Sequence, residues 1–77
     1  MENKLNFHYD REGDILYINR CKPYPEQESE ELEDEVVVRL NPKTNEVENV
    51  EILFFSSRLL RSNDFSIPVF ADLQLAA

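Results

Sequence analysis

Apolar and polar residues alternate from the start of the chain. Leu5, Phe7 and Tyr9 interleave with Lys4, Asn6 and His8, the period of two expected of a half-buried strand. Asp10-Arg11-Glu12-Gly13 breaks the pattern: an aspartate can close a turn through its side chain, and Gly13 is placed to supply the positive φ that ends a short hairpin loop. Residues 14–20 return as a second strand. Ile15 and Tyr17 point one way, Leu16 and Ile18 the other, so both faces are apolar, as in a central strand or one that also meets a second subunit. Cys21-Lys22-Pro23-Tyr24-Pro25 cannot extend the sheet, because two prolines so close together remove ladder donors.

Val36, Val38 and Leu40 alternate with Val37 and Arg39, which predicts a third strand ended by the turn Asn41-Pro42-Lys43-Thr44-Asn45. A fourth follows over residues 46–54, and its phase slips. Val47 and Val50 are three apart, whereas Val50, Ile52 and Phe54 alternate strictly, so a bulge is expected near Glu48-Asn49, with asparagine taking the left-handed conformation. Ser56 reads as the N-cap of a two-turn helix carrying Leu59 and Leu60, with Asn63 ending it in the left-handed region. The tail, with Phe65, Ile67, Val69 and Phe70, is too apolar for a free end and reads as a short edge strand or an arm. The fold class expected is therefore α+β, in one domain over residues 1–77. It comprises a four-stranded antiparallel meander, one short helix forming the core on one face, and a short C-terminal strand or arm.

Composition sharpens this in two respects. A chain of 77 residues builds only a thin core, and a single cysteine with no Cys/His cluster excludes an internal disulfide or a structural zinc site. Self-association is then the inexpensive route to stability. A homodimer, or a higher oligomer, is expected, through Leu16 and Ile18 or through Phe65, Ile67, Val69 and Phe70 of the tail. No basic stretch followed by an apolar one marks a secretory signal, and the apolar runs are too short to span a bilayer. The expectation is a cytoplasmic protein without a membrane partner, which a free thiol also suits.

The net charge of −8 is concentrated in one place. Glu26, Glu28, Glu30, Glu31, Glu33, Asp34 and Glu35 follow one another without a base, so residues 21–35 read as a solvated acidic linker. This argues against direct nucleic-acid binding and makes Glu28, Glu30, Glu31 and Glu33 the candidates for contact with a basic partner protein. Arg58 and Arg61 form too small a basic patch to change that.

Candidate chemistry is sparse. Asp10, Glu12 and Asp14 resemble a fragment of an oxygen-ligand cation loop but lack its length, central glycine and terminal bidentate acid. With His8, the only histidine, they define an alternative reading: a small-ligand or divalent-metal site around His8, Asp10 and Asp14. For nucleophilic catalysis His8 would need Ser56, Ser57 or Cys21 in reach and a third group orienting it, and neither serine sits in a glycine-flanked elbow. Glu51 has a natural cross-strand partner in Arg39, a pairing worth roughly 0.2–1 kcal/mol. The expectation is a protein without catalytic residues, cofactor or resident metal.

Taken together, Tyr9-Asp10, Asp14, Leu16-Tyr17-Ile18, Val36-Val37-Val38 and Val50-Glu51-Ile52-Leu53, with a Ser-Arg-Leu-Leu helix behind them, resemble the bacterial family catalogued as domain of unknown function 2283. The chain departs from that pattern at Thr44-Asn45, where the family often has Asp-Gly, and at Asn49, where glycine often precedes the Ile-Glu-Ile block; asparagine can adopt the same geometry. The resemblance implies a small intracellular protein with no established activity. Some members resemble the smaller partner in two-gene cassettes of the toxin–antitoxin type, which implies a role in protein binding, the acidic segment covering a basic, RNA-directed surface.

Overall fold

The structure, a computed structural model, describes residues 4–76. Five strands and a helix follow one another: β1 (Asn6–Asp10), β2 (Ile15–Asn19), β3 (Glu28–Glu33), β4 (Val36–Leu40), β5 (Val47–Leu53) and α1 (Phe55–Arg61). The strands form one antiparallel sheet in the order β1-β2-β5-β4-β3. The α+β class and antiparallel sheet are as expected, but the strand count is five rather than four. The additional strand is β3, drawn from the segment expected to be an acidic linker. Its glutamates are tolerated because β3 is an edge strand, where side chains keep their water and charge is the normal composition. The order also departs from a meander, since β2 pairs with β5 and residues 20–27 cross the end of the sheet to reach β3.

Register puts Phe7 and Tyr9 of β1, Leu16 and Ile18 of β2, Val50 and Ile52 of β5, and Val36, Val38 and Leu40 of β4 on one face. The core lies there and is small: Val36, Val38, Leu40, Val50 and Ile52, all no more than 7% exposed. Leu16, Ile18, Leu32, Val47, Phe55 and Ile67 pack half-buried around it. Leu16 and Ile18, candidates for a subunit interface, are thus turned toward the core of their own chain. The opposite face carries His8, Ile15, Tyr17, Val37, Arg39, Glu51 and Leu53.

The helix does less than expected. Its N-cap is Phe54, at φ 52°, not Ser56; it ends on Ser62 in extended backbone, not on Asn63; and none of its residues is buried. Leu59 and Leu60 are 56% and 89% exposed, and Phe55 alone in α1 reaches the core.

The turn between β1 and β2 is closed by Asp10 as anticipated, its Oδ1 accepting from the backbone N–H of Glu12 (3.1 Å) and Gly13 (3.3 Å). The positive φ falls on Asp14, at 56°, instead of Gly13. A Cβ at 13 would lie 2.9 Å from Asp10 Oδ2, so another residue there requires the end of that side chain to shift. In the β4–β5 turn, Asn45 does take the left-handed conformation, at φ 65°. The bulge is where the phase slip put it, Arg39 pairing with Asn49 and Leu40 with Val47, so Glu48 is the additional residue. Asn49 itself does not have positive φ.

Residues 63–76 contain no strand, which corrects the edge-strand reading of the tail. Pro68 removes a ladder donor, and the Val69 N–H bonds back to the Ile67 carbonyl at 2.9 Å. Ile67 reaches the core and Val69 is half-buried, whereas Phe65 and Phe70 are exposed.

Among the described residues, the carboxylates of Glu28, Glu30, Glu31 and Glu33 accept no side-chain hydrogen bond and join no ion pair. Replacing all four by glutamine is therefore expected to raise the unfolding free energy slightly or leave it within about 0.5 kcal/mol, by chemical denaturation. A loss above about 1 kcal/mol would mean that the carboxylates hold β3 in place.

Candidate functional site

Two polar clusters carry most of the side-chain hydrogen bonds that join segments distant in sequence. The first centres on Asp14. Its Oδ1 accepts from the Tyr9 hydroxyl (2.6 Å) and the Ser56 N–H (2.9 Å), its Oδ2 accepts from the Ser56 hydroxyl (2.7 Å), and its carbonyl accepts from the Phe55 N–H (3.0 Å). Asp14 therefore caps α1 from the first hairpin, a function that a side chain just ahead of the helix usually performs. The hydrogen bond from Tyr9, then those from Ser56, hold the Asp14 carboxyl below its ordinary range; the same contact pushes the Tyr9 phenol up.

The second cluster is built on the bulge. Asn49, 1% exposed, donates through Nδ2 to Asn19 Oδ1 (2.9 Å) and the Cys21 carbonyl (2.7 Å), and its Oδ1 accepts from Gln27 Nε2 (2.7 Å). Glu48 accepts from the Tyr24 hydroxyl (2.7 Å), from Gln27 Nε2 (3.0 Å) and from Asn41 Nδ2 (3.2 Å). The Arg20 N–H adds a bond to the Glu48 carbonyl at 2.9 Å. The whole crossing segment 20–27 is thus tied to one irregular step of β5. Hydrogen bonds from Tyr24 and Gln27 keep the Glu48 carboxyl low, and the carboxylate pushes Tyr24 up to about 12. Neither cluster was legible as a set, although the phase slip at residues 47–50 marks the place where the second forms.

The residues of the alternative site are not brought together. Asp10 closes its own turn, Asp14 caps the helix, and the His8 ring stacks on Tyr17 with centroids 6.1 Å apart, on the other face from Tyr9. Among the described residues no three His, Cys, Asp or Glu side chains converge as metal ligands would. Ser56 is engaged with Asp14, and desolvation pushes the Cys21 thiol up, away from a thiolate nucleophile. Arg39 Nε meets Glu51 Oε2 at 2.6 Å, the pair expected from the sequence. No helix among the described residues is long and apolar enough to cross a membrane.

The other candidates lie on the surface. Glu28, Glu30, Glu31 and Glu33 are all exposed along β3, whose outer side has no neighbouring strand. Large apolar side chains are exposed as well: Leu5, Phe7, Phe54, Leu59, Leu60, Phe65, Phe70, Leu73 and Leu75. Between the tail and the Ile18–Val50 region of the sheet runs a groove of about 630 Å³, bordered also by Leu5, Val47, Ile67 and Phe70.

The structure is thus a small α+β domain, an antiparallel sheet with one helix clamped to its first hairpin by Asp14. Residues 6–56 match the family described as Protein of unknown function (DUF2283), and the chain belongs to that family. The match runs from the first residue of β1 to Ser56, taking in all five strands and the Asp14–Ser56 contact. No curated protein and no solved structure matches the chain.

Removing the Asn49 amide leaves Gln27, Asn19 and the Cys21 carbonyl short of a partner. Asn49→Ala is expected to cost about 1–3 kcal/mol in denaturant unfolding, and a neutral result would contradict the lock on the crossing segment. Asp14 and Glu48 both have folded values below their unfolded ones, so the stability they contribute is present above the ordinary carboxylate range and is lost as pH falls through the folded values. Asp14→Asn is accordingly expected to lower the thermal midpoint at pH 7 and to flatten its decline below about pH 4. An unchanged acid limb would exclude Asp14 as one of the groups responsible.

Proposed function

We propose that this protein is a non-enzymatic protein-interaction module of the cytoplasm, one that associates with its own copies through apolar surface and presents the acidic β3 edge to a basic partner protein. The observation that carries the reading is the surface it leaves open. The accessible area is 6458 Å², whereas a monomer of 9.1 kDa typically exposes about 4,900 Å². An excess of roughly 1,500 Å² on one chain is about twice the roughly 800 Å² that each partner contributes to a standard protein interface. The Cα radius of gyration points the same way, 13.0 Å against about 11.5 Å for a compact chain of this length.

The polarity of the two kinds of surface supports a division of labour. Apolar side chains on β1 and the tail suit a permanent contact between like copies. The β3 edge suits a chain of opposite charge: its backbone groups can extend the sheet with an added strand, and its carboxylates select a basic one. A partner of that kind fits the antitoxin-like role that the family resemblance implies. The alternative, a ligand or metal site at His8, Asp10 and Asp14, has no convergent geometry to support it.

The test uses the protein and its Glu28→Gln, Glu30→Gln, Glu31→Gln, Glu33→Gln variant as baits in native-host extract at low salt. A basic protein retained by the wild type, lost from the variant and released by added salt is the expected result. Equal retention by both baits, or none by either, would contradict the assignment of β3.

A further inference from the structure

We propose that two copies of the chain join along β1, antiparallel and about a two-fold axis at Phe7, to form one continuous ten-stranded sheet. The inference rests on the self-association proposed above and names the surface responsible. The sheet has two open edges, β1 and β3, and they differ in what they can accept. A second copy of β3 would bring glutamates opposite or diagonal to glutamates in any register, which like charges disfavour. The β1 edge has no such obstacle. Phe7 is 61% exposed, although it lies beside the buried face through its pairing with Ile18, and Leu5, just ahead of the strand, is 44% exposed.

The residues of β1, with Lys4 and Leu5 just ahead of it continuing its line, also select a register. With Phe7 opposite the partner's Phe7, Leu5 faces the partner's Tyr9 on the core side of the sheet. On the other side Asn6 faces the partner's His8, and Lys4 faces the partner's Asp10. Apolar residues meet apolar ones, and the charged residues meet with opposite sign. Asp10 is suited to this, because both bonds of its turn use Oδ1 and neither uses Oδ2. Shifting the axis to His8 loses this pairing by setting Leu5 against the partner's Arg11, and shifting it to Asn6 sets Lys4 against the partner's His8. The arrangement is isologous, so it closes at two copies, and it leaves the acidic β3 edges free at the two ends of the extended sheet.

Sedimentation velocity on the full chain at micromolar concentration is expected to give a dimer. Phe7→Glu, at an exposed position that the monomer fold tolerates, should weaken it by about tenfold or more with the circular dichroism unchanged. Lys4→Glu should weaken it several-fold, with added salt restoring part of the loss. In a Cys21→Ser background, Phe7→Cys should form an intermolecular disulfide faster than Asn6→Cys or His8→Cys, since only residue 7 faces its own copy within disulfide reach. A monomeric wild type would overturn both this inference and the self-association proposed above. A dimer indifferent to Phe7→Glu and Lys4→Glu would overturn the β1 interface alone. Faster cross-linking at residue 6 or 8 would overturn the register, and assemblies that grow with concentration would mean that β1 pairs head-to-tail with β3 instead.

Discussion

Everything in this fold depends on five aliphatic side chains, Val36, Val38 and Leu40 of β4 with Val50 and Ile52 of β5, packed on one face of two neighbouring strands. A core drawn from two adjacent strands holds those strands firmly and the others only at its margin. Leu16 and Ile18 on one side and Leu32 on the other reach it half-buried, and α1 touches it through Phe55. With so little apolar burial, the outlying elements must be positioned by other means.

Hydrogen bonds supply those means at both ends of the sheet. At one end the bulge in β5 lets Glu48 and Asn49 gather Tyr24, Gln27, Asn19, Asn41 and the Cys21 carbonyl, which fixes the path from β2 to β3. At the other, Asp14 takes a left-handed backbone conformation at the end of the first turn and holds the start of α1. A short helix with no buried residue and no side chain of its own at its N-cap gains its place from a carboxylate 42 residues earlier. These contacts position elements without burying much apolar surface, and so they leave the exposed leucines and phenylalanines unaccounted for by the monomer.

What the sequence disclosed and what it hid divide along the same line. Local patterns were legible: the alternation of β1, β4 and β5, the slip in phase at the bulge, the closure of the first turn by Asp10, and the Arg39–Glu51 pair. The third strand was not, because six residues with Leu32 as their only apolar side chain carry no periodic signal, and the strand is stable only by lying against β4 at the edge. The pairing of β2 with β5 was hidden for a related reason, being decided by contacts between residues 30 or more apart. The part of Asp14 in capping the helix was hidden likewise. Gly13 was read for its freedom of φ, whereas the positive φ of the turn belongs to Asp14. The tail misled through its alternation, which Pro68 prevents from becoming a ladder. Of the candidate surfaces, the acids were plain in the sequence, but their alignment along an open strand edge needed the fold.

A thin core, elements set by polar contacts and a surface larger than the mass requires are the grounds for our proposal that the chain is completed by association. Folding and assembly then share one equilibrium, and stability depends on concentration. The direct test is the thermal midpoint of the full chain measured from about 1 to 100 μM. The account predicts a midpoint that rises steadily with concentration, and a midpoint constant over that range would contradict it.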